Sequence, residues 1–413
     1  MQRRQALNKF LAETIATLGE YHPDFARILR QRFIRGELIA SVAAEMNFSE
    51  DQVNRLQREA IEYLAAIIYG KEQAARTLHK DRLLAVLPGP SYGQLVGVQS
   101  VQDHIFERLL VADTDQLVAL VGLGGIGKTA LADAVARQAI QALAFEDVVW
   151  LRAELPPEGT APNPVAEELV VQIARALEGA DAESKLSLGE LDDRLHHRPH
   201  LIVIDNLQEE LVRTDLLDRL ASLAGASKFL LTSRLRPPMF PHLRIVTVPE
   251  LTRKDAKQLL LAQAAANGWP ASAKDLEQNA AAVLKLTGGN PLALKLVVGL
   301  LDALPLSRVL QALRRGPAGD IETMYRFIYQ SAWQALQPEA RRLLLAMPAF
   351  DACGVKLDTL QVASGLSDVE VHTAIKQLIT RSLVELRGPV TEPLYGIHQL
   401  THTFLRSEAI QRF

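Results

Sequence analysis

Cysteine is nearly missing from this chain: Cys353 is the only one among 413 residues. No intramolecular disulfide can staple the fold, and a reducing compartment, the cytoplasm, is expected. A charge excess is lacking too. The 45 Lys+Arg against 48 Asp+Glu leave a formal net charge of −3, which removes any global electrostatic reason to expect nucleic acid or a membrane surface as partner. Long apolar runs are also absent. The richest late stretch, Leu292 to Leu304, is short and carries Lys295 and Asp302, so no membrane span is expected. Lys9, Glu13 and Glu20 break any signal-peptide core at the N-terminus. No internal repeat of solenoid length is present. What remains is 48% apolar residues, enough for two to four domains at roughly 150 residues each.

The local patterns divide the chain. Residues 1–85 read as helices, and Pro88-Gly89-Pro90-Ser91-Tyr92-Gly93 is linker chemistry. Over 95–250, β-rich runs (Leu117–Val121, Asp147–Leu151, Leu201–Asp205, Phe229–Thr232, Arg244–Val248) alternate with helical stretches, which predicts a parallel sheet with crossover helices. Residues 251–317 are helical, broken at Gly288-Gly289-Asn290-Pro291. Residues 318–413 give three helices and then a hairpin, Ser382–Leu386 and Leu394–Ile397 around Gly388-Pro389, the layout of a winged helix. The fold class expected is therefore multidomain α/β and α: an α/β sheet domain, a small helical domain, a winged-helix domain and an N-terminal helical domain.

The strongest chemical signal is Gly122-Leu123-Gly124-Gly125-Ile126-Gly127-Lys128-Thr129, followed by Ala130, which is G-x-x-x-x-G-K-[ST] between an apolar strand and a helix. Glycines free backbone N–H groups to turn around a phosphate, and the helix N-terminus adds donors and a positive dipole end. Lys128 is expected on the β- and γ-phosphates of a nucleotide, and Thr129 on Mg²⁺. In Leu201-Ile202-Val203-Ile204-Asp205-Asn206, four apolar residues deliver Asp205 to the C-terminal edge of a strand, where it would also hold Mg²⁺. Phe229 to Arg234 repeats the pattern, ending in an arginine placed to touch the γ-phosphate.

Together these residues resemble the NB-ARC branch of the STAND signalling P-loop NTPases, over about residues 95–408. Further motifs carry the resemblance. Val96-Gly97-Val98 is similar to the segment whose backbone meets adenine, although Val98 and Gln99 replace the usual charged residues. Thr232-Ser233-Arg234 matches the sensor-arginine motif, and Gly289-Asn290-Pro291-Leu292-Ala293-Leu294 resembles G-x-P-L-A-L, whose proline packs on adenine. Ile397-His398-Gln399-Leu400 stands where the family carries Met-His-Asp, whose histidine contacts the β-phosphate of ADP. The resemblance implies an ADP/ATP switch in which Lys128, Asp205 and Arg234 do the chemistry. Val96, Gly97, the P-loop from Gly122 to Ala130, Arg234, Pro291, Leu292 and His398 hold the nucleotide. Self-association in the ATP state and a separate sensor or effector protein are the partners it implies.

Two departures qualify this. Asn206 replaces an acid treated as the activator of the attacking water, and an amide cannot act as a general base. Slow hydrolysis is expected, with Glu209 and Glu210 too far along to substitute. Gln399 and Ile397 alter the histidine signature, which is expected to loosen the ADP-bound state.

His196, His197 and His200, beside Asp192 and Asp193, lack zinc-site spacing and read as a solvated loop before the Asp205 strand. In the N-terminal domain, Asp24–Arg35 and Glu37–Met46 read as helices, the second with Leu38, Val42, Ala43 and Met46 on one face. Ser49 opens a third helix with Gln52 completing a capping box and Val53, Leu56, Ala60, Leu64 and Ile67 as its apolar stripe. Leu29 to Leu64 resembles the promoter-reading helix-turn-helix of sigma factors, which would put Gln52, Asn54, Arg55 and Arg58 in a major groove. Residues 1–90 carry 13 Lys+Arg against 11 Asp+Glu, a weak basic footprint. A nucleotide-gated, DNA-binding transcription regulator is the first expectation. A signalling or defence scaffold recruiting an effector through these helices is the second.

Overall fold

The computed structural model describes residues 2–93, 95–111, 115–153, 163–178, 186–207, 214–268, 270–315, 321–350, 354–387 and 392–406. They fall into two units, 1–82 and 83–413. The first unit holds α1 (Gln2–Tyr21), α2 (Pro23–Leu29), which continues as a π-helical turn over Arg30–Ile34, and α3 (Ile39–Met46). It also holds most of α4 (Glu50–Val86). Apolar residues at helical spacing make two small cores. Ile15, Leu18, Ala26, Leu29 and Ala60 form one, and Ile28, Val42, Ala43, Met46 and Val53 the other. Asn47, at φ 55° and ψ 38°, makes the left-handed corner that ends α3. At the start of α4, Ser49 Oγ accepts from Gln52 N at 3.2 Å while Ser49 N donates to Gln52 Oε1 at 2.9 Å. The expected face of the second helix needs correction. That helix begins at Ile39, and Leu38, extended at ψ 153°, precedes it and is 73% exposed.

In the second unit, α5 (Gln99–Leu110) precedes β1 (Leu117–Val121), α6 (Lys128–Gln141), β2 (Asp147–Arg152), α7 (Asn163–Glu178) and α8 (Leu188–His197). Then come β3 (His200–Leu207), α9 (Thr214–Ala224), β4 (Lys228–Ser233) and β5 (Leu243–Thr247). The strands form one parallel sheet in the order β2-β3-β4-β1-β5. The buried apolar runs of the inner strands β1, β3 and β4 suit a sheet covered on both faces. Leu117, Ala119, Val121, Ile202 and Ile204 face the core shared with α7, α8 and α9. Val118, Leu120, Leu201, Val203 and Leu230 face α5 and α6. Each such side chain contributes roughly 1.5–3 kcal/mol on burial, so the sheet is a rigid platform for whatever its C-terminal edge carries.

The histidine cluster departs from expectation. His196 and His197 are exposed in the last turn of α8, but His200 is fully buried at the start of β3. Its backbone N–H donates to Ser227 Oγ at 3.1 Å, and Arg194 Nε donates to its Nε2 at 3.3 Å. Burial holds its pKa below the usual value. The neutral ring is a satisfied core group, because the strand register leaves it no route to solvent.

The remaining elements are α10 (Arg253–Ala266), α11 (Pro270–Thr287), α12 (Pro291–Leu300), α13 (Leu306–Arg315), α14 (Ile321–Gln334) and α15 (Pro338–Ala346). They continue with α16 (Leu357–Ser364), α17 (Asp368–Thr380), β6 (Glu385–Arg387), β7 (Leu394–Gly396) and α18 (Gln399–Phe404). The antiparallel pair β6–β7 follows the three helices α15 to α17. One apolar cluster runs from Leu251 to Leu405, so these helices and the hairpin share a core. Where α12 meets the end of α17, a Cβ on Gly299 would lie 2.5 Å from the Arg381 carbonyl oxygen, so glycine permits this approach. Cys353, Glu209, Glu210, Gly388 and Pro389 lie outside the described residues.

Candidate functional site

β1 ends at Val121 and the chain turns through glycines that only a residue without Cβ takes up freely: Gly125 at φ 76° and Gly127 at φ 101°. Gly127 then caps α6, so the first backbone N–H groups of that helix open onto the loop. Lys128 Nζ folds across the loop and donates to the carbonyls of Gly122 at 2.8 Å and Leu123 at 2.9 Å. Burial, joined by the charge of Arg234, pulls the Lys128 ammonium down to about 8 against the opposing pull of Asp205.

At the end of β3, Asp205 is 5% exposed and accepts two hydroxyls on one oxygen. Thr129 Oγ1 donates to Oδ1 at 2.8 Å, and Thr232 Oγ1 donates to the same atom at 2.6 Å. The convergence falls where the β3–β4 register shifts between Ile204 and Leu207, with β4 lying between β3 and β1. The next residue, Asn206, is left-handed at φ 61°, and its N–H donates to Thr232 Oγ1 at 2.8 Å.

The helical segment closes over the same loop through Asn290. Its Oδ1 caps α12 by accepting from Leu292 N at 3.1 Å and Ala293 N at 3.3 Å, while its Nδ2 donates to Gly124 O at 2.8 Å. Tyr325 Oη, from α14, donates to Asn290 Oδ1 at 2.8 Å. Leu292 N also approaches Gly125 O at 3.3 Å. A Cβ on Gly125 would stand 2.7 Å from both Leu292 Cβ and Tyr325 Oη, so this loop position must be glycine for the approach to occur.

From the C-terminal module, His398 caps α18, its Nδ1 accepting from Leu400 N at 3.1 Å. A neutral imidazole accepting at Nδ1 carries its proton on Nε2. Burial, followed by the cations Arg387, Arg234 and Lys128, holds its pKa down to about 4 despite Glu385.

A cavity of about 530 Å³ joins these parts. Val96, Gly124 to Ala130, Asp205, Arg234, Pro291, Leu292 and His398 all line it. Gly97 and Gly122 do not. Gly97, at φ 73°, packs against Asp255 of α10, and Gly122 contributes its carbonyl to Lys128. The size suits a nucleotide-sized ligand, and the glycine loop, helix start, Lys128 and His398 converge on it as donors. Among the described residues no cluster of three His, Cys, Asp or Glu side chains is placed to hold a metal. Thr129 and Asp205 would therefore complete a Mg²⁺ site only together with phosphate oxygens. Gln52, Asn54, Arg55 and Arg58 do not line this cavity and belong to α4 of the first unit. There Gln52 is engaged by Ser49, Arg55 Nε lies 3.9 Å from Glu59, and Arg58 Nε donates to Asn54 O at 3.3 Å.

Sequence reasoning did not assign roles to Asn290, Tyr325, Thr232, Glu385 or Arg387. An asparagine directly before Pro291 is a recognisable helix cap and could have been read. Tyr325 and the hairpin pair have no local signal, because only the tertiary fold brings them here.

Residues 98–259 match the NB-ARC domain. This part of the chain is an NB-ARC domain of the P-loop NTPase class. Curated relatives include the Arabidopsis thaliana disease resistance-like protein DSC1, 26% identical over 307 residues, covering 71% of this chain and 24% of that protein. Disease resistance protein RPP2B, also from Arabidopsis thaliana, is 24% identical over 316 residues, covering 75% of this chain and 25% of its own length. The chain thus spans about a quarter of these relatives. Among solved structures, a signal transduction ATPase with a tetratricopeptide repeat sensor from Pyrococcus horikoshii is 18% identical. It matches with a TM-score of 0.48 over 78% of this chain and 43% of that one. Among the described residues no helix is long and apolar enough to cross a membrane.

Proposed function

We propose that this NB-ARC protein is an adenine-nucleotide switch that holds ADP, or ATP with Mg²⁺, between its sheet, its helical segment and its C-terminal winged-helix module. The observation that carries the reading is one cavity lined together by Lys128, Thr129 and Asp205 from the sheet, Pro291 from α12 and His398 from the start of α18. Lys128 and the loop N–H groups would bind phosphate, Thr129 and Asp205 would orient Mg²⁺, and Nε2–H of His398 would donate to the diphosphate. Arg234, exposed at the end of β4, is placed to report on a γ-phosphate. Hydrolysis would be slow. Asn206 offers no proton acceptor, and its turned backbone fixes it beside Thr232.

The first unit supplies the output. Its exposed Phe33, Ile34 and Leu38, 59%, 57% and 73% exposed, favour a protein partner, as in the scaffold reading. The left-handed Asn47 between α3 and α4 favours the transcription-regulator reading, since it gives the two helices a short helix-turn-helix corner.

The test is to denature freshly purified protein in acid and identify the released nucleotide by chromatography. Stoichiometric ADP supports a closed switch, whereas an empty protein that turns over added ATP rapidly removes it. Fluorescence anisotropy with duplex DNA at two salt concentrations then separates the outputs. Salt-sensitive binding selects the transcription regulator, and its absence selects the scaffold.

A further inference from the structure

The wall that the C-terminal hairpin gives the cavity carries a carboxylate among cations. Lys128, Arg234, Lys295, Arg387 and His398 all line the cavity, and so does Glu385. Glu385 and Arg387 are alternate residues of β6, so they project from the same face of the hairpin. Arg387 Nη2 donates to Glu385 Oε2 at 3.0 Å, with side-chain exposures of 13% and 21%. Placing an acid among groups that bind anions weakens anion binding, so its presence calls for a function beyond affinity.

We propose that Glu385 is a specificity-determining residue that discriminates against a nucleoside triphosphate in favour of the diphosphate. This deepens, and rests on, the nucleotide-switch reading above. A diphosphate is served by the loop, Lys128 and His398. A third phosphate brings one more negative charge into a cavity whose hairpin wall already carries one. The Glu385 carboxylate also occupies Arg387, which would otherwise present its guanidinium to that phosphate. Burial raises the carboxyl pKa, but Arg387, His398 and Lys295 outweigh it and keep the group ionised. Because Glu385 belongs to the C-terminal hairpin and Lys128 to the sheet, the repulsion acts between two parts of the fold that must meet for the cavity to close. A triphosphate would therefore favour their separation.

The test uses the full chain stripped of nucleotide, titrated calorimetrically with ADP and with a non-hydrolysable ATP analogue. The wild type is expected to prefer ADP. Glu385→Gln is expected to tighten the analogue relative to ADP by about tenfold, the equivalent of one unit of pKa-scale interaction. Glu385→Asp should retain the wild-type preference. Should Glu385→Gln fail to fold because Arg387 is stranded, Glu385→Gln/Arg387→Met replaces it, with the preference for ADP again expected to fall. An unchanged ratio of the two affinities in a folded Gln variant overturns the proposal while leaving the nucleotide site standing. If the wild type binds neither nucleotide, behaving as Lys128→Met does, both readings are overturned.

Discussion

Asn290 joins its own helix to the phosphate-binding loop: the side chain that caps α12 through Oδ1 also donates from Nδ2 to the Gly124 carbonyl at 2.8 Å. The loop and the helical segment are thereby coupled through one amide that is 2% exposed. Any movement of α12 away from the sheet must break this bond or carry the loop with it.

Substituting that residue separates its two roles. Asn290→Ala removes the cap and the donor to Gly124, and is expected to cost about 2–3 kcal/mol. Asn290→Asp keeps an oxygen for the Leu292 and Ala293 N–H groups but sets a carboxylate against a carbonyl. It should melt well below wild type despite a complete cap. Thermal denaturation of the three proteins checks this, and an Asp variant as stable as wild type would show that the amide–carbonyl bond contributes nothing.

Two loop glycines should respond unequally to alanine. A Cβ added at Gly127 would have no atom within 4 Å, so Gly127→Ala meets only the backbone penalty of φ 101°, roughly 1–2 kcal/mol. Gly125→Ala adds overlaps at 2.7 Å with Leu292 and Tyr325, and should be the more destabilising of the two. Urea midpoints that rank them in the opposite order would mean that α12 does not close on the loop in solution.

How much of this was legible follows from the range of the interactions. The loop Gly122–Thr129 and the carboxylate Asp205 are local signals, each an apolar run ending in defined chemistry, and the cavity draws on both. Parallel strands were legible because β1 is apolar throughout and β3 carries the apolar run Leu201–Ile204, which suits burial on both faces. Leu38 misleads because helical spacing continues through it while its extended backbone starts the helix one residue later. His200 misleads because a histidine beside two others suggests solvent, and only the register of β3 buries it. Glu385 and Arg387 carry no local signal at all. A short strand with alternating charge is an ordinary exposed edge until the fold turns it towards a cavity.

Arg381 and Asp302 should behave asymmetrically. Arg381 Nε and Nη2 both donate to Asp302 Oδ2, at 3.1 and 2.8 Å, and the arginine side chain is 6% exposed against 38% for the aspartate. Asp302→Ala leaves a buried guanidinium without its counter-charge and is expected to cost about 3 kcal/mol. Arg381→Met leaves an acid that water can reach and supplies apolar volume, so the loss should be smaller. Denaturant midpoints of the two single variants test the asymmetry, and equal losses would contradict it.

Nucleotide binding should take up protons in two separate pH windows. With Lys128 held down to about 8 and His398 to about 4 in the free protein, an anionic phosphate beside either group raises its pKa. A group whose pKa rises on binding gains a proton between its free and bound values, so affinity increases as the pH falls through that interval. For Lys128 the interval starts at about 8 and extends upwards, and for His398 it starts at about 4 and extends upwards. Near neutrality, in the free protein, Lys128 is mostly charged and His398 neutral. Calorimetric titration with ADP in buffers of different ionisation enthalpy measures the protons directly. Uptake on the alkaline side should disappear in Lys128→Met, and uptake on the acid side in His398→Asn. If the acid window survives in His398→Asn, the histidine does not face the phosphates and another group in the cavity is titrating.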